Sequence, residues 1–145
     1  MSDYRNALSS TARFYALRLK PGQDVVEELR KFVDANNLKA VSIVSVVGSL
    51  TKALLRHANT GVWSEISGHF EIVSLVGTID EKGEHLHISL SDRTGKTTGA
   101  HFGLGSSVYT TAEITLAEFP DLSFRRELCA QSGWEELVVE GRAAG

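Results

Sequence analysis

The chain has 145 residues, 42% apolar and 23% charged, with a formal net charge of −3. That length is one domain with material for a sizeable core, and the composition is that of a globular chain rather than a disordered or fibrous one. A nucleic-acid surface that follows phosphates masses Lys and Arg on one side. Here acids and bases interleave, as in Glu27-Glu28-Leu29-Arg30-Lys31 and Asp80-Glu81-Lys82, and the slight acidic excess argues against one.

Residues 1–11 are polar, lack an apolar signal core and read as a flexible lead-in; residues 12–141 read as a single domain. Arg13 to Lys20 alternates roughly between apolar and basic residues, which predicts a half-exposed strand ended by Pro21-Gly22. Asp24 is placed to cap a helix, with Glu27 three residues on completing a capping box. Val25, Leu29, Phe32 and Val33 share one helical face, so three to four turns should run to Asn36, with Asn36-Asn37 as the stop.

The β-branched run Ala40 to Gly48 predicts a buried strand, which Gly48-Ser49-Leu50 interrupts before a second extended segment at Lys52 to His57. Asn59-Thr60-Gly61 is a turn, and Val62 to Ile66 reads as a short irregular piece. Strands then follow closely: Gly68 to Ile79, His85 to Ser91, Gly99 to Leu104 and Val108 to Phe119, separated by glycine-bearing turns. Phe124 to Cys129 reads as a short helix or turn, and Glu136 to Glu140 as a last strand. One principal helix against a mainly antiparallel, hairpin-rich sheet makes the fold class α+β.

Cys129 is the sole cysteine, so no intramolecular disulfide forms; it reads as a buried structural thiol, and its lone presence fits a reducing compartment. No run of about 18 apolar residues occurs, so no helical membrane span is expected. The expectation is a cytoplasmic protein, or a nuclear one in a eukaryote. Trp63 and Trp134 are expected to pack against the core or a neighbouring subunit.

The chemistry concentrates on three histidines. His85 and His87 stand two apart in a strand, which puts both rings on one face. His101 follows the turn from Asp92 to Gly99, and a reversal of the chain there would bring it beside them. Three imidazoles facing one point suit Zn²⁺ or another first-row divalent ion and leave a coordination position open. On spacing alone, two histidines on a half-exposed strand with a third near a turn explain the pattern equally well.

The array Gly68-x-Phe70-Glu71-Ile72-x-Ser74-Leu75-x-Gly77, His85 to Asp92, Gly95, and Gly99-Ala100-His101-x-x-x-Gly105 resembles the PPC domain (plants and prokaryotes conserved). The resemblance runs from about Arg13 to Phe119 and includes Gly48-Ser49-Leu50 and Leu55-Arg56. Ala100 stands where many members of that family have glycine, which should spare the histidine and asks for an ordinary backbone there. The resemblance implies a homotrimer. It also implies that His85, His87 and His101 are the family's recurring histidines, which tips the reading toward a metal or anionic-ligand site. Glu71, Glu113 and Arg56 are then candidates to support the ligands or meet a neighbouring subunit, and Ser89 or Ser91 to contact an anion.

Plant relatives carry the domain beside an AT-hook, a short basic segment that enters the minor groove. The stand-alone form is often labelled DNA-binding. No such segment is present here; Gly141-Arg142 lacks the flanking Arg and Pro. The favoured function is therefore an assembly and binding module, a homotrimer with a three-histidine pocket and a protein partner. The alternatives are a metal-dependent hydrolase or lyase that uses a histidine-bound water, and a transcriptional regulator that binds DNA directly. Gly99, Gly103 and Gly105 lack the strand-loop-helix setting of a nucleotide site. His57 and His69 lie outside the array.

Overall fold

The computed structural model describes residues 4–143. After a 3-10 turn at Tyr4–Asn6, the chain forms β1 (Arg13–Leu19), α1 (Val25–Ala35), β2 (Val41–Arg56), β3 (Ser64–Asp80), β4 (Gly83–Ser91), β5 (Thr97–Gly103), β6 (Val108–Glu118), β7 (Leu122–Leu128) and β8 (Glu135–Gly141). The first six strands make one sheet in the order β1-β6-β2-β3-β4-β5, and β7 and β8 make a separate hairpin. Every pairing is antiparallel. The predicted α+β class, with one principal helix on a mainly antiparallel sheet, is what the structure has.

The helix begins where the capping pattern puts it. Asp24 Oδ1 accepts the Glu27 N–H at 2.9 Å, satisfying one of the helix's free donors. Its other oxygen accepts the N–H groups of Gly105 and Ser106, at 2.7 and 2.8 Å, and so ties the helix start to the β5–β6 connection. Glu27 pairs with Lys31 one turn on. Asn37, at φ 52°, closes the other end as the predicted stop. Val25, Val26, Leu29 and Val33 are buried against the sheet's inner face, where Leu50, Leu55, Ile79, Leu86, Leu90, Ile114 and Leu116 meet them.

Four expectations need correcting. The break at Gly48-Ser49-Leu50 does not divide two strands: β2 runs unbroken from Val41 to Arg56, with the irregularity absorbed as shifts of register against β6 and β3. A Cβ at Gly48 would stand 2.0 Å from the Thr111 carbonyl oxygen, so the glycine admits a close approach of β6 rather than ending the strand. The segment at Val62 to Ile66 likewise merges from Ser64 into β3.

Phe124 to Cys129, read as helix or turn, is mostly strand β7. Leu122 and Phe124 alternate inward onto Ala40 and Phe119, and β8 supplies the pairing that the segment cannot show by itself. Cys129 is half-buried at the start of the β7–β8 turn instead of sitting in the core. There the backbone N–H of Ser132, then that of Gln131, holds its thiol below the ordinary value.

Among the described residues, no helix is long and apolar enough to cross a membrane.

Candidate metal centre

β4 lies between β3 and β5, with Leu86, Ile88 and Leu90 buried inward. Alternation therefore sends His85 and His87 to the outer face. The β4–β5 turn fixes where His101 lands. Asp92 Oδ1 accepts the N–H groups of Thr94 and Lys96 and the Thr94 hydroxyl, which holds the reversal tight. In the resulting register His101 stands directly opposite His87.

The rings are close. Centroids are 4.3 Å apart for His87 and His101, 5.0 Å for His85 and His87, and 5.2 Å for His85 and His101. His87 Nε2 is 3.2 Å from His101 Nδ1. One nitrogen from each ring lies within 4.8 Å of the other two. Two imidazoles bound tetrahedrally at zinc distances have nitrogens about 3.3 Å apart, so the His87–His101 pair already has the ligand spacing. His85 must close somewhat, which an exposed ring does by turning about its side-chain bonds.

Burial pushes the His85 and His101 imidazoles below their ordinary 6.5. At His85, the fields of His87, Arg126 and Arg56 act the same way and Glu136 opposes them. At His101, His87, Arg56 and His85 add to the lowering. Both rings are thus held neutral at pH 7, the form that ligates a metal.

Around the rings lies an open basin of about 1140 Å³. Arg56 is opposite His101 in the β2–β5 pairing, so their side chains flank one another on the outer face. The Trp63 and Trp134 rings stand against the Arg56 guanidinium, at 5.4 and 6.0 Å from its carbon. These tryptophans, expected in the core or at a subunit contact, are 45% and 65% exposed and line the basin. Gly103 makes room for one of them, since a Cβ there would meet the Trp63 ring at 2.7 Å.

The β7–β8 hairpin forms a second wall. Arg126 donates to Thr78 Oγ1 at 3.0 Å and lies 3.5 Å from Asp80, and Thr78 is the register partner of His85. Arg126, Trp134 and Glu136 all face the basin. Sequence reasoning missed this wall because Arg126 sits in the segment misread as helix.

Of the proposed supporting residues, only Arg56 is brought to the histidines. Glu71 pairs with Ser49 and Ser91, Glu113 pairs with Arg18 and Val47, and both are exposed away from the basin. Ser89 and Ser91 lie farther along β4, opposite Gly99 and Thr97. His57 lines the basin, whereas His69 tilts against Tyr109 at 4.5 Å.

The family model of the Plants and Prokaryotes Conserved (PCC) domain matches residues 7–120. The bifunctional protein GlmU of Synechococcus sp. (strain JA-3-3Ab) is 39% identical over 132 residues, which are 91% of this chain and 21% of that protein. The chain spans about a fifth of the length of the curated relatives it matches. A hypothetical protein from Salmonella enterica superposes with a TM-score of 0.92 at 46% identity, over 94% of this chain and 99% of that one. A metal-containing protein from Archaeoglobus fulgidus shares the fold, with a TM-score of 0.78 at 22% identity over 92% and 99% of the two chains.

Proposed function

The chain belongs to the Plants and Prokaryotes Conserved domain family, and we propose that it is a self-associating binding module whose His85, His87 and His101 hold a divalent metal ion, zinc foremost. The observation that carries the reading is the convergence of three ligand nitrogens within 4.8 Å on one exposed strand face. Three neutral imidazoles without a carboxylate or thiolate form a donor set suited to zinc and its first-row neighbours. An ion so held is a Lewis acid with a position free for water or a ligand oxygen. The chain's own residues set the rest. Asp92 fixes the turn that aligns His101 with His87, burial keeps His85 and His101 unprotonated, and the two tryptophans with Arg126 wall the basin.

Self-association is the second part of the proposal. Val44, Val47, Val73 and Val76 are each more than half exposed on the outer face of β2 and β3, an apolar strip that a neighbouring copy would cover. Val76 is the register partner of His87, so a subunit seated there would border the histidine site. A trimer is the arrangement proposed. Direct contact with DNA is not favoured, because acids and bases are balanced along the chain.

The test is metal analysis of protein purified without chelator. Wild type should carry up to one divalent ion per chain and His87→Ala essentially none. Equal metal content in the two proteins would refute the site.

A further inference from the structure

Three arginines line the basin, and two are already committed. Arg30 is forked onto Glu84, at 2.7 and 2.6 Å, and Arg126 is spent on Thr78 and Asp80. Arg56 differs. Among the described residues its guanidinium has no hydrogen-bond or ion-pair partner and lies over the rings of Trp63 and Trp134, which use none of its five N–H donors. A half-buried guanidinium with unspent donors beside an open metal position is an anion receptor waiting for its anion.

We propose that the pocket takes a small organic monocarboxylate, with the carboxylate on Arg56 and an adjacent hydroxyl or carbonyl oxygen on the histidine-held ion. This inference rests on the metal reading above. Register limits the ligand's size: Arg56 is directly opposite His101 in β2–β5, and His101 directly opposite His87 in β5–β4. Side chains so paired start about 5 Å apart, so a molecule spanning the guanidinium and the ion has its two polar ends separated by only a few atoms. Charge limits its class. The basin's acids Asp80, Glu84, Glu135 and Glu136 match its cations Arg30, Arg56, Lys82 and Arg126 in number, so a bound divalent ion leaves it positive and an anion is preferred to a neutral molecule. The flat edge of a carboxylate also matches the guanidinium fork. The tryptophans hold Arg56 in place and give the ligand's carbon atoms an apolar wall.

The protein has two tryptophans, and both stand on Arg56, so its intrinsic fluorescence reports this subsite. Zinc-loaded protein is titrated with glycolate and, separately, with its uncharged counterpart glycolamide. Cobalt-loaded protein is followed by visible absorption, which reads entry into the coordination sphere. Glycolate should change both signals saturably. Arg56→Gln should keep its metal and bind glycolate about tenfold or more weakly, the scale of a lost charged hydrogen bond. Glycolate binding of equal strength in metal-loaded wild type and Arg56→Gln would overturn the proposal. So would glycolamide binding wild type as tightly as glycolate, a comparison that needs no variant to fold. A wild type that takes up no metal fails at the loading step, before any ligand is added, and refutes the metal reading instead.

Discussion

Gly77 couples the fold to the histidine site, and its replacement by alanine gives a sharp test of that coupling. It lies on β3 opposite Leu86, at φ 140°, where a Cβ would stand 2.0 Å from the carbonyl oxygen of His85 and 3.0 Å from its carbonyl carbon. Both obstacles are backbone, so no side-chain rotation relieves them. β4 must retreat by more than an ångström at the residue that carries the first ligand. Overpacking of this kind costs about 1–3 kcal/mol, and a side chain in the positive-φ region adds about 1 kcal/mol. A total near 3 kcal/mol lowers the melting temperature of a domain this size by roughly 10 °C.

The same displacement moves His85 relative to His87 and His101, so metal affinity should fall on the order of tenfold, as when the support of a ligand is lost. Gly83→Ala is the control. Its φ is also positive, at 152°, but nothing lies within 4 Å of the added carbon, so only the backbone cost of about 1 kcal/mol applies. Thermal unfolding by circular dichroism, with metal titration of each folded variant, decides the matter. Gly77→Ala melting within about 2 °C of wild type, or binding metal unchanged, would refute the reasoning.

Asp24→Ala removes the helix cap and leaves the Gly105 and Ser106 N–H groups without their acceptor, so urea unfolding should show a loss of about 3 kcal/mol, of which Asp24→Asn should recover only the cap's share of about 1 kcal/mol, since its amide NH2 cannot accept from those two N–H groups. For pH, His85 and His101 have folded values below the 6.5 of the unfolded chain, so between the two values the unfolded state holds more protons and stability rises with pH. Their contribution is complete above about pH 6.5 and is lost as pH falls below it; metal retention should follow the same direction, and retention that declines as pH rises from 6 to 7 would contradict it. Changing both Val47 and Val73 to Glu should shift sedimentation from the assembled species to monomer at micromolar concentration, with far-ultraviolet dichroism preserved.

Much of this was legible in the sequence where local pattern suffices. Asp24 and Asn37 mark the helix because capping is chemistry within a few residues. His85 and His87 share a face because strand periodicity is two, and Asp92 announces the turn that returns His101. The β7–β8 hairpin was not legible in the same way. Leu122 and Phe124 offer only one step of alternation, and the partner that makes them strand lies beyond a turn containing the exposed Trp134. The meeting of the two tryptophans was hidden for a related reason. A large aromatic residue is normally evidence of a core, and only the fold shows that two distant ones converge on one arginine.

The position of Arg56 follows from the feature that the sequence misrepresented as a break. Up to Leu50, β2 pairs with β6; from Leu54 it pairs instead with β5, closing β2, β3, β4 and β5 into a ring of strands. The change of partner falls between Leu50 and Leu54, just past the shifts of register, and is filled by Ser106, a fully buried residue whose hydroxyl accepts the Leu54 N–H and donates to the Gly103 carbonyl. β6 begins at Val108, opposite Leu50, so β2 outruns it and its last residues are left to pair with β5. The segment that looks like an interruption therefore lies just ahead of the point where β2 changes neighbours, and that change sets Arg56, whose guanidinium has no ion-pair or hydrogen-bond partner among the described residues, beside a histidine. The core needs only the inward-facing residues of this arrangement. The proposed binding chemistry would use the outward ones, Arg56, His101, His87 and His85, which strand alternation leaves free of any packing duty.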